Sequence, residues 1–482
     1  MSGKSLIFCL AILAGMLVGI GIALCVLYSG TGNSGDEAKE KVADNARYLL
    51  LPAVPSDAVL LSCFSEADKV LENIHASSDF PAALKESGVR LGRMTVSLHF
   101  SGKLTALYVL DMGKASPQPS ETAEAVLAAA RSCGMSAEYM DCSTTGSRYS
   151  ISDRSIVVAS LSESLVKSSL RHIQKSVSIL EASGFAEASA YVSSGNMIFV
   201  SNELSAKVLS SIFGNKYNSW IRFAPKVSDW TVFDLTEIGE DISLYGSLVT
   251  DGDQSDFISV FSRTGTASSK LSSVLPSNTL SAATLPIVNV AEYISAYHLF
   301  LDARQSLQTR QTAIEALEKK TGISPVAYFA RLEPKEVATA SFIEGGKLER
   351  VNLIRVAKPD TLKNCASGAY PYKYMSFAST IFGNLYELPD ESSFTYLNGW
   401  LISGSQTGVK AFSEGKAGKY TLKEFMVNAG MDDLFAGESA SFMAYLSLTE
   451  DRGSLESMFS KPVAAALISE IQDSDYSGIF IS

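Results

Sequence analysis

The chain has 482 residues, 46% hydrophobic and 19% charged, with a formal net charge of −11 and a pI near 5.1. That length and apolar content support two or three domains with full cores, which excludes a disordered chain. The negative balance, with no Lys/Arg run to override it, opposes binding to a phosphate backbone.

Leu6 to Tyr28 is a run of 23 residues without a charge. As a helix it spans about 34 Å, enough for a hydrocarbon core of about 30 Å, and it exceeds the roughly 7 to 15 residues of a signal-peptide apolar region. No Ala-x-Ala site follows, and Leu24 precedes Cys25 where a lipoprotein signal needs a small residue. The run therefore reads as an uncleaved anchor, residues 1–28 being a cytoplasmic tip and a transmembrane helix, with a cleaved signal as the alternative. Lys4 on the short side favours a cytoplasmic N-terminus and an exported body. Ala11, Gly15, Gly19 and Ala23 recur every four residues and offer a helix-packing face.

Residues 29–48 are small, polar and of mixed charge, a spacer lifting the body off the membrane. The body then reads as written twice, a first repeat at 49–265 and a second at 270–482. Ser97, Gly102, Lys103, Leu104 and Lys114 recur as Ser341, Gly346, Lys347, Leu348 and Lys358, a shift of 244 positions (341 − 97). The openings Val54-Pro55-Ser56-Asp57 and Leu275-Pro276-Ser277-Asn278 match at a shift of 221 (276 − 55). The growth in shift places an extra helix at about 301–320 in the second copy. Met94 to Leu110 and Ala338 to Val356 each read as a hairpin bent at Gly-Lys-Leu, and Glu121 to Cys133 as an Ala-rich helix. The second copy ends where the first still has about forty residues, so it is either short or truncated.

Cys133 and Cys142 are close enough in sequence for a disulfide after export, whereas Cys63 and Cys365 have no counterpart in the other copy. His75, His99, His172 and His298 show no metal-ligand spacing, and no nucleophile elbow, Walker loop or dinucleotide turn is present. Ser164 with Lys167, and Ser413 with Lys416, fit Ser-x-x-Lys by chance in so serine-rich a chain. Asp251 to Asp256 reads as a solvated acidic turn. Tyr370, Tyr372 and Tyr374 would share one face of an extended segment and offer an interaction surface. No catalytic, metal-binding or cofactor-binding residue emerges.

The anchor, the charged spacer and the Pro-Ser-Asp-Ala opening, repeated as Pro-Ser-Asn, resemble uncharacterised membrane-anchored envelope proteins of the Bacteroidetes. The resemblance implies a compartment and a fold style, and no activity. The expected architecture is α+β: one transmembrane helix, then two tandem repeats of antiparallel sheet with packed helices. The expected location is the bacterial inner membrane, single-pass, with a periplasmic body. The expected function is a non-catalytic binding or assembly protein of the cell envelope, its partner another envelope protein or a second copy. A carrier of lipid or another apolar ligand between the repeats is the alternative. An unrecognised hydrolase is the next, and it requires a serine or carboxylate beside a base in a cleft.

Overall fold

The structure, a computed structural model, describes residues 50–73, 80–100, 102–144, 151–175, 177–190, 196–238, 242–250, 254–357, 368–369, 377–414, 420–428, 439–440, 443–448, 452–461, 464 and 477–481. These form two compact units: the first takes the described residues of 50–208 and 228–250, the second those of 209–227 and 254–481. The segment 209–227, expected in the first repeat, thus belongs to the second unit. Among the described residues no helix is long and apolar enough to cross a membrane, and the expected anchor with Ala11, Gly15, Gly19 and Ala23 lies outside them.

The first unit is an antiparallel sheet of eight strands: β1 Ala58–Phe64, β2 Met94–Phe100, β3 Leu104–Lys114, β4 Ser136–Asp141, β5 Arg154–Ser160, β6 Met197–Ser201, β7 Trp230–Ile238 and β8 Ile242–Val249. Their order is β4-β5-β3-β2-β1-β6-β7-β8. Every residue of β1 and β6 is buried, because both faces of the sheet are covered. On one face Phe64, Met94, Leu110 and Val157 meet helices α1 Ala67–Asn73, α2 Phe80–Glu86 and α3 Glu121–Ser132. Ser120 starts α3 by accepting from the Ala123 amide at 3.2 Å, and Glu121 and Glu124 favour its positive end. On the other face, Leu107, Val109, Ile156 and Val158 pack under α4 Glu163–Lys175 through Val166 and Ile173. Beside them Leu61, Phe199 and Trp230 pack under the turn Leu51–Ala53 and α5 Phe185–Ser189. Helix α6 Asn202–Ile212 follows β6.

The second unit has its own eight-stranded sheet. Its strands include β10 Thr279–Pro286, β11 Pro334–Glu344, β12 Lys347–Val356, β13 Gly368–Ala369, β14 Ser393–Leu397, β15 Trp400–Gly404, β17 Met443–Leu448 and β18 Ser477–Ile481, while β9 Ala267–Ser268 pairs apart with β16 Ser439–Ala440. The order β13-β14-β15-β12-β11-β10-β17-β18 runs through the same succession of seven strands, six pairings, as the stretch of the first sheet from β4 to β7, with β13 added at one end and, among the described residues, no counterpart of β8 at the other. The β11–β12 turn is the two-residue Gly345-Gly346 with φ of 56° and 72°, the left-handed pair that matches strand twist.

One face of this sheet (Ala340, Phe342, Val351, Ile402) is covered by α12 Gln406–Ser413 and α13 Leu422–Asn428. The other is covered by an aromatic layer. It draws on α7 Asn218–Phe223, α8 Val290–Ala303, α10 Pro325–Leu332 and α11 Ala378–Phe382, with Tyr293 against Phe382 at 5.3 Å and Phe257 against Phe300 at 5.5 Å between ring centres, while α9 Leu307–Thr321, with no ring and no buried residue, lies outside it against α8. Helix α14 Arg452–Met458 brings Phe459 to within 4.9 Å of Phe213.

Two expectations change in detail. The helix expected at 301–320 is two helices, α8 and α9, separated where Gln305 takes φ 53°. The matched serines Ser97 and Ser341 lie on opposite faces. Ser97 sits between Leu61 and Leu107 on the side covered by α4, whereas α12, which follows β15 as α4 follows β5, covers Ala340 and Phe342. The 244 shift holds on β3 and β12, where Leu107 faces Ser160 and Val351 faces Gly404, but slips by one residue on β11, and one residue of slip reverses the face.

Tyr217, 1% exposed, is the largest fully buried side chain of segment 209–227 in the second unit. Tyr217→Ala is expected to cost about 3–5 kcal/mol, the range for removing a large buried ring. The midpoint of chemical denaturation measures it, and a loss under 1 kcal/mol would show that the segment is not part of that core.

Candidate functional site

Strand alternation puts Ser97 and His99 on one face of β2, two residues apart. Ser97 Oγ lies 2.9 Å from His99 Nε2, and His99 Nδ1 lies 2.8 Å from Asp57 Oδ1 in the turn before β1. The hydrogen bond from His99 holds the Asp57 carboxyl below its ordinary range. An ionised Asp57 accepts from Nδ1–H, which leaves Nε2 to accept the Ser97 proton. This is the atom-for-atom connectivity of a nucleophilic Ser-His-Asp triad.

Its exposure is the reverse of what acyl transfer requires. Ser97 is 0% exposed, while the Asp57 side chain is 71% exposed. The nucleophile faces the sealed layer beneath Leu51–Ala53 and the carboxylate faces water, so no substrate carbonyl reaches the hydroxyl. In this state the chain of bonds does structural work, fastening the 55–57 turn to β2 and satisfying two buried polar side chains.

The second unit holds two more buried polar groups. Glu336, 0% exposed, accepts from Ser269 Oγ at 2.5 Å, the Lys270 amide at 2.9 Å, Thr284 Oγ1 at 2.8 Å and Arg355 Nε at 3.1 Å. Four donors account for its lone pairs, so it is a fully paired structural carboxylate and offers no base. On the aromatic side of the sheet, Tyr217 Oη lies 3.2 Å from Ser281 Oγ and 3.1 Å from Ser341 Oγ. Arg350 Nη1 donates to the Lys216 carbonyl at 3.0 Å and to Ser219 Oγ at 3.2 Å. Arg350 Nη2, Thr339 Oγ1 and Asn352 Oδ1 are buried without a protein partner, and Thr339 faces Asn352 across β11 and β12, an arrangement suited to internal water. A surface cleft of about 310 Å³ is lined by Glu344, Gln406, Thr407, Lys410, Ala411 and Glu414, a charged lining unsuited to an apolar ligand.

The remaining candidates are not brought together. Cys133 and Cys142, expected as a disulfide, are not bonded. Cys133 packs with the α1–α3 side of the first sheet and Cys142 with the α4 side, so the sheet itself stands between them. Tyr370, Tyr372 and Tyr374 lie outside the described residues, as does Lys416. Lys167, which a Ser-x-x-Lys base would need depressed, is instead raised by its hydrogen bond to Glu163. Asp256, expected in a solvated turn, is 3% exposed and lies 3.9 Å from Arg304 Nη2. Among the described residues no cluster of three His, Cys, Asp or Glu could hold a metal ion. Sequence inspection passed over Ser97, His99 and Asp57 because no fixed spacing marks them. The available signal was Ser-x-His on a strand, with an acidic residue in the turn feeding the neighbouring strand. Comparison with protein families, with curated proteins and with solved structures finds no match.

Two measurements check this geometry. A depressed Asp57 stabilises the fold above its unfolded pKa, near 3.8, and that stability is lost as pH falls through the lower folded value. Thermal unfolding temperatures of the parent and Asp57→Asn should therefore differ at neutral pH and converge as pH falls below the lowered folded value. Brief alkylation of the native protein at pH 8, read by peptide mass spectrometry, should modify Cys133. It should spare Cys63 and Cys142, whose thiols burial pushes up to about 12.

Proposed function

We propose that this protein is a membrane-anchored, extracytoplasmic binding or assembly module of the bacterial cell envelope, without a catalytic role. The observation that carries the reading is the inverted exposure of the Ser97–His99–Asp57 chain: the one arrangement with triad connectivity among the described residues points its nucleophile into a packed layer. The uncharged run Leu6 to Tyr28 and the spacer behind it supply the anchor. The body then acts through its surface and strand edges. The hydrolase, expected behind a lipid carrier, becomes the second reading on the triad connectivity alone, and requires the Leu51–Ala53 turn to lift from the sheet.

The test is crosslinking of the full-length protein in its own cells, followed by affinity purification and mass spectrometry, against a form lacking Met1 to Tyr28 and exported by a cleavable signal. Reproducible enrichment of one or two envelope proteins is expected, and its loss from the control assigns recruitment to the anchor. Recovery of the protein alone overturns the assembly role. Labelling by a fluorophosphonate that disappears in Ser97→Ala would establish the hydrolase instead.

A further inference from the structure

Strand β4 ends the first sheet, paired with β5 on one side only. All six of its residues are half-buried or exposed, unlike the buried strands inside the sheet; among the described residues no second strand pairs with it, and Cys142 Sγ reaches the Met140 carbonyl at 4.0 Å. Such an edge leaves a row of unpaired N–H and C=O groups ready to receive another strand.

The second sheet shows what covers the same place. Its β14 pairs with β15 as β4 pairs with β5, and β15 pairs with β12 as β5 pairs with β3. By register Ser393 and Phe394 occupy the positions of Ser136 and Ala137: Ser393 faces Gly404 and Ser136 faces Ser160, residues that face Val351 and Leu107 in turn. On Ser393 and Phe394 lies β13, an extended, antiparallel strand. The first sheet has no such strand among its described residues. At this same end of β4, next to Ser160, Leu161 is 70% exposed, the most exposed large hydrophobic side chain among the described residues.

Charge adds direction. The only charged residues of β4 are Glu138, which is exposed, and Asp141. Lys167 of α4, which also feels Glu138, is held by Glu163 at 2.5 Å. Acidic residues on an edge can serve simply to repel other strands. They equally select a strand carrying a basic side chain, since opposite charges facing across a ladder stabilise it and like charges do the reverse.

We propose that the outer edge of β4 is the docking strand of this protein: it takes an extended segment of a partner envelope protein, antiparallel to β4, with a Lys or Arg facing Glu138 and an apolar side chain against Leu161. The proposal rests on the assembly reading above and gives it a place and a chemistry.

The experiment inserts a photocrosslinking residue at Ser136 or Met140 in the full-length, membrane-bound chain, and at exposed Arg171 of α4 for comparison. Adducts are mapped to the residue by mass spectrometry. The expected result is one partner segment joined from both β4 positions, with the residue joined to 140 lying about four positions N-terminal to that joined to 136, the mark of antiparallel pairing. Glu138→Lys should lower the yield about fivefold while leaving the unfolding temperature unchanged. The proposal is overturned by adducts in the reverse or no order, by adducts to a second copy of the chain, or by yields indifferent to Glu138→Lys. Capture of a partner from Arg171 but not from β4 removes the edge and leaves the assembly reading standing; capture from nowhere removes both.

Discussion

The central strands of both sheets are covered on both faces, and the rest of the structure follows from that constraint. A polar side chain on such a strand cannot reach water, and leaving it unpaired costs about 1–3 kcal/mol. Apart from groups such as Thr339 Oγ1 and Asn352 Oδ1, which have no protein partner, these side chains find internal partners on segments far away in sequence. His99 reaches Asp57 in the turn before β1, Glu336 gathers Ser269, Lys270, Thr284 and Arg355, and Ser281 with Ser341 meets Tyr217. These contacts decide which loop lies over which strand, whereas the apolar clusters around them would tolerate several arrangements of similar volume.

The Tyr217 contact has a further consequence for how the chain is organised. The first unit is left at residue 208 and resumed at 228, and the residues between supply the second unit with Phe213, Tyr217, Trp220 and Phe223, all buried. Within that unit, Lys216 Nζ donates to the Leu348 carbonyl at 2.8 Å and Arg222 pairs with Glu387 at 2.9 Å. A segment held by aromatic burial and by charged hydrogen bonds is not a linker. The second unit is complete only with residues that precede the last two strands of the first, so the chain cannot be divided at one point into two independent pieces.

Burial also bears on function. The groups that most resemble chemistry, Ser97 with His99 and the Glu336 carboxylate, are the ones most fully consumed by the fold. Catalysis needs a nucleophile or base that is both activated and accessible, and here activation geometry occurs without access. What the two sheets leave open lies at their ends. They share seven strands in one succession and differ in their last strand, with β13 pairing with β14 where, among the described residues, no strand pairs with the outer edge of β4. Strand ends are where a sheet meets other chains, because backbone hydrogen bonds there are unspent.

Much of the fold was legible in the residues. Apolar runs around Gly-Lys-Leu marked both hairpins, and the Ala-rich run Glu121 to Cys133 marked α3. These signals are local, set by periodicity within a few residues. The Ser97–His99–Asp57 chain, the Glu336 cluster and the placement of segment 209–227 were not legible, since each joins residues at separations that no pattern encodes. The identity of Ser97 and Ser341 even misled, because one residue of slip in strand register sends equal side chains to opposite faces. Sequence alone determined the α+β class and the hairpins, through local propensity. Tertiary structure alone decided which polar groups meet, because burial on both faces of a sheet selects partners by position in space rather than along the chain.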